Sequence, residues 1–142
     1  MKTRALVMAG VMALTAMAST RIAQAQETVI VNIPFDFAAS KTMLPAGEYS
    51  VTVSGPTHSL ILISRKDSAA SAFINTNAVV SVNVQSESKL VFNRYGSEYF
   101  LSTIWDSYAE DGRQVRWTAR EKELAKRGNV PVRAVITLAS SK

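Results

Sequence analysis

Cysteine is absent from the 142-residue chain, and histidine occurs once, at His58. The first absence excludes disulfides, thiolate metal sites, a cysteine nucleophile and lipid-modified cysteine. The second excludes a zinc site built from several imidazoles and leaves a His-based triad a single candidate. No Gly-rich phosphate loop, Gly-x-Ser-x-Gly elbow or Asn-x-Ser/Thr sequon occurs. Charge is sparse: 19% of residues are charged against 47% hydrophobic, the balance of a globular chain rather than a disordered one. The length suits one compact domain.

The N-terminal uncharged stretch Ala5–Thr20 has 16 residues diluted by Gly, Thr and Ser. A spanning helix needs about 20 strongly apolar residues. The stretch reads instead as a secretory signal. Lys2 and Arg4 form its basic start, and Ala23 and Ala25 supply the small-x-small pattern that a signal peptidase accepts. The expected division is a signal peptide over 1–25 and a single β-rich domain over 26–142. That predicts a periplasmic or secreted protein with no transmembrane segment after signal removal.

Cleavage after Ala25 takes Lys2, Arg4 and Arg21 away, and the formal charge falls from +5 to +2. The remainder is polarised. Residues 26–112 hold five basic and nine acidic side chains, whereas 113–142 hold eight basic and two acidic. In an exported protein the basic section points to anionic envelope polymers or lipid headgroups rather than nucleic acid. Its other reading is a solvated face that balances the acidic part of the same domain.

The β-branched run Thr28–Ile33 predicts a strand that Pro34 stops. Leu44-Pro45-Ala46-Gly47 predicts a turn, and Tyr49, Val51 and Val53 alternate with polar residues as in a half-buried strand. Beyond a Gly55-Pro56-Thr57 turn, the run Leu60–Ile63 predicts a strand covered on both faces. Further strands are expected at 70–75 and 79–84. Leu90–Trp105 reads as a hairpin around Gly96-Ser97, with Gly96 where a type II′ turn needs a positive φ. It pairs Arg94 with Tyr99, Phe92 with Leu101 and Leu90 with Thr103 on one side. Asp111-Gly112 is a turn signal before a short strand at Val115 and Trp117. Thr118-Ala119-Arg120-Glu121 fits a capping box, and Gly128 ends the helix it opens. A last strand follows at 130–138. The fold class is mostly β: a single antiparallel β-sandwich or small barrel of about seven to nine strands, with one short C-terminal helix at about 119–127.

Three segments occur in order: Ile33-Pro34-Phe35-Asp36-Phe37, Leu44-Pro45-Ala46-Gly47-Glu48-Tyr49-Ser50-Val51, and the run from Leu90 to Trp105. In these the chain resembles an uncharacterised family of small exported bacterial proteins. The resemblance implies export and one small domain, and it brings no site residue with it.

Candidate chemistry is thin. Asp36, Glu48, Glu98, Asp106, Glu110 and Asp111 could supply a hydrolytic carboxylate pair, but most lie in turns. His58 reads as an exposed turn residue. Asp106–Gly112 lacks the oxygen spacing of a calcium loop. Aromatic recognition remains. Tyr95, Tyr99, Tyr108, Trp105 and Trp117 cluster around the hairpin, and Arg94 can lie over Tyr99 as a cation–π pair. Phe92, Phe100 and Trp105 read as core; Arg94, Tyr99 and Tyr108 are the candidate partner contacts. The expected function is a non-enzymatic exported β-domain that binds an envelope or extracellular partner, without cofactor or metal and without nucleic acid. The rival readings are an assembly subunit that pairs through an exposed strand such as Thr28–Ile33, and a carboxylate-dependent hydrolase.

Overall fold

The computed structural model describes residues 28–54, 57–106 and 110–138. The signal segment with Ala23 and Ala25, the Gly55-Pro56 turn and Tyr108 lie outside the described residues.

Among the described residues, ten strands and one helix follow in order: β1 (Thr28–Ile33), β2 (Phe37–Ala39), β3 (Thr42–Leu44), β4 (Gly47–Ser54), β5 (Leu60–Arg65), β6 (Ser71–Val80), β7 (Lys89–Tyr95), β8 (Glu98–Trp105), β9 (Asp111–Val115), α1 (Ala119–Lys126) and β10 (Val132–Thr137). The ten strands belong to one mixed sheet that folds on itself in sandwich fashion without closing into a barrel. Strands β1, β4, β5 and the first half of β6 form an antiparallel meander. The second half of β6 continues into the other half of the sheet, where β9, β8, β7 and β10 follow. The sheet is mixed because β2 meets β8 in parallel, with Ala38 opposite Phe100. Strand β9 reaches only Thr103–Trp105 of β8, so the rest of that edge is open to β2.

The core lies between the two halves. Val31, Ile33, Tyr49, Val51, Ile61, Ile63 and Ile74 meet Phe37, Leu44, Leu90, Phe92, Leu101 and Val115. Phe37 sits at the junction, edge-on to Tyr49 at 5.5 Å and to Phe92 at 5.4 Å between ring centroids. Such T-shaped pairs add to the area that each ring removes from water.

The segments 33–37 and 44–51 have structural work. The Asp36 carboxylate accepts a hydrogen bond from Ala46 N at 2.8 Å, which fixes the Pro45-Ala46 turn from the far end of β2. The Tyr49 hydroxyl donates to the Pro45 carbonyl oxygen, closing the same corner.

Several local expectations change. Leu60 and Leu62 are only half-buried, so β5 has one core face and not two. The two strands expected at 70–75 and 79–84 merge into β6, whose alternation Ala72, Ile74, Thr76 points inward, and pairing stops at Val80. Three-residue β2 and β3 bring the count to ten. Gly112 lies within β9 rather than in a turn, with the Trp105 ring over it. The hairpin register is as expected from Arg94/Tyr99 to Phe92/Leu101. A bulge then shifts it, so Leu90 faces Ile104 instead of Thr103. The bulge lets Leu101 and Ile104, three residues apart, both enter the core. Gly96 has φ +64°.

Candidate functional site

The hairpin β7–β8 has two covered faces. Its second face carries Asn93, Tyr95 and Phe100, and α1 lies on it. Ala38, Tyr95, Phe100 and Leu124 form a small separate apolar cluster there. The helix starts as its sequence predicts: Thr118 Oγ1 accepts from Glu121 N at 3.0 Å. It ends at Arg127 with Gly128 at φ +81°, and Gly128 N and Asn129 N return to the carbonyls of Ala125 and Leu124.

Glu121 departs from the capping-box expectation. Its carboxylate does not close back on the cap but points into the sheet, accepting from Asn93 Nδ2 at 2.9 Å and from the Tyr95 hydroxyl at 3.4 Å. It is 2% exposed. Burial pushes its carboxyl above the ordinary range, and the two neutral donors pull it part of the way back. Tyr95 is likewise raised, by burial first and then by the neighbouring Glu121.

Beside the helix start, an open groove of about 940 Å³ runs between the β2–β3 hairpin and residues 116–122. Ala38, Met43, Phe100 and Trp117 give it an apolar lining, with Met43 68% and Trp117 43% exposed. Lys41, Arg116, Arg120 and Lys122 supply positive charge, and Asp36 and Glu98 supply negative charge. Both carboxylates are engaged: Asp36 with Ala46 N, and Glu98 with Arg120 through two hydrogen bonds of 3.0 Å each. Lys41, Arg116 and Lys122 are exposed and make no ion pair among the described residues.

Arg94 and Tyr99 are brought together as expected. The Arg94 guanidinium carbon lies 6.0 Å from the Tyr99 ring centroid. One face of that ring is already taken by Phe35, stacked at 3.8 Å and 12°. Tyr99 is half-buried against the core, whereas Arg94 is exposed and lies off the groove, on the hairpin side opposite Phe100. Trp105, expected in the core, is half-buried over Gly112. His58 is exposed with φ +51°.

Glu110 and Asp111 are exposed, and four other carboxylates have plain partners. Glu48 pairs with Lys66, Asp67 with Arg65, and Glu123 with Arg120 and Arg127. Asp106 accepts from Ser88 Oγ. Among the described residues no group of three or more His, Asp or Glu side chains is arranged to hold a metal ion, and no helix is long and apolar enough to cross a membrane.

Sequence reasoning missed Lys41, Met43 and Arg116 as a group. Only the fold-over of β2–β3 beside β8 brings 41–43 next to 116–117. The one signal pointing there was the basic section starting at Arg113. Comparison with known protein families, curated proteins and solved structures finds no match.

Proposed function

We propose that the protein is an exported, non-enzymatic binding domain that takes an anionic envelope or extracellular partner in the groove between β2–β3 and the start of α1. The observation that carries this reading is the charge arrangement: three cations with no ion pair among the described residues stand around an apolar lining, while both nearby carboxylates are engaged. The basic C-terminal section thereby divides. Arg120 and Arg127 offset acids of the same domain, and Arg116 and Lys122 remain available to a partner. Export rests on the N-terminal signal pattern and on the family resemblance.

The test is elution of the protein from an anionic glycan matrix by a salt gradient. Lys41→Ala/Arg116→Ala should elute at clearly lower salt than Lys89→Ala/Lys126→Ala, which removes the same charge away from the groove. Equal elution of the two pairs would make net charge, not the groove, responsible.

One observation favours strand pairing as a second reading. Among the described residues strand β1 ends the sheet, and Ile30 on it is 46% exposed.

A further inference from the structure

We infer that the groove is built for one anionic amphiphile at a time: an acyl chain ending in a phosphate or carboxylate head. The inference rests on the groove being the binding site and names the chemistry of its ligand.

Two features must be satisfied together. The first is apolar. Met43 and Trp117 are large, exposed and line the same groove, and between them Ala38 and Phe100 close its floor. A hydrated polyanion or an inorganic anion would leave these surfaces in water. An alkyl chain covers them, at about 25 cal/mol for each Å² removed from solvent. Methionine adapts its three torsions to a flexible chain, and tryptophan suits the boundary between an apolar body and a wet head. The second feature is charge. Lys41 comes from the turn joining β2 and β3, and Arg116 from just beyond β9. Both are exposed and unpaired among the described residues. A neutral lipid or an uncharged glycan leaves them without a counter-charge. A phosphate or carboxylate supplies it, and arginine adds a fork matched to such oxygens.

Size agrees with a single molecule. At about 940 Å³ the groove lies near the upper end of small-ligand sites, which run from about 300 to 1,000 Å³. Its open side leaves room for a chain longer than the floor to continue into solvent or a neighbouring bilayer.

The experiment titrates the purified full chain with decyl phosphate below its micelle concentration, by calorimetry and by tryptophan emission. Decyl maltoside and inorganic phosphate serve as probes of the chain alone and the head alone. Saturable decyl phosphate binding is expected, with a blue shift that Trp117→Phe removes and an affinity about tenfold lower in Arg116→Ala and in Lys41→Ala, a loss of about 1.4 kcal/mol. Both neutral-head and head-only probes should bind at least about tenfold more weakly. Equal binding of decyl maltoside or of inorganic phosphate overturns the amphiphile. So does absence of decyl phosphate binding while a poly-glutamate peptide binds and loses affinity in Arg116→Ala; that outcome leaves the groove reading standing. Failure of every anion to bind, or binding that neither Arg116→Ala nor Lys41→Ala changes, removes the amphiphile and the groove reading together.

Discussion

Glu121 is a carboxylate placed where a carboxylate is expensive. It is buried, its partners Asn93 and Tyr95 carry no positive charge, and a charged group in such surroundings costs free energy unless it is neutralised. The sign of the pH effect follows from the raised carboxyl. A raised folded-state pKa means that the fold prefers the protonated form. Its contribution to stability is therefore fully present below the ordinary glutamate range and is lost as pH rises through the folded value. Glu121→Gln keeps an oxygen to accept from Asn93 and Tyr95 and cannot ionise. Thermal unfolding should then show the variant gaining on the wild type as pH is raised from about 4 to 7, by on the order of 1 kcal/mol, the usual weight of one buried polar contact. A wild type that gains on the variant over that range would show the charged form to be the stabilised one. This role was not legible in the sequence: Glu three residues after a capping Thr has a local explanation, and only α1 lying on Asn93 and Tyr95 replaces it.

At the scale of elements, the hairpin β7–β8 organises the molecule, since one face enters the main core, the other receives α1, and the free edge of β8 takes β2. Its turn and first three pairs were legible because a Gly at the first loop position and alternating large residues leave few registers open. The bulge beyond Phe92 was not, because a bulge is chosen by what the strand packs against, here the entry of Ile104 into the core. The β2–β3 hairpin, which makes one wall of the groove, was also hidden. Strands of three residues carry too little periodicity to read. The neighbouring β8–β9 pair depends on one close approach. A Cβ at Gly112 would lie 2.6 Å from Trp105 Cε3, inside contact distance. Gly112→Ala should force the ring to move and lower stability by about 1–3 kcal/mol, as overpacking does. Urea unfolding followed by tryptophan emission reads both effects, and an unchanged midpoint with native emission would show the indole free to swing aside.

At the scale of the whole molecule, an open sheet that folds on itself without closing leaves strand edges exposed, and proteins protect such edges with charge, proline or brevity. The edges here are unequally protected. Strand β3 is three residues long and next to Lys41; β10 follows Pro131 and carries Arg133. Strand β1 has six residues, Thr28–Ile33, none charged, with β4 on one side and no strand on the other among the described residues. Its inward residues Val31 and Ile33 are locked in the core, so the register of anything added along the open edge is set by a rigid template. Antiparallel addition of a second β1 would continue the meander with its hydrophobic alternation intact. Sedimentation equilibrium over a wide concentration range should therefore show reversible self-association that Ile30→Lys weakens, because the lysine places like charges against each other across the new pair. The groove lies in the other half of the sheet, so the same variant should leave anion binding unchanged. A constant monomer mass at every concentration would remove strand pairing and leave the groove as the one proposed route by which this domain meets a partner.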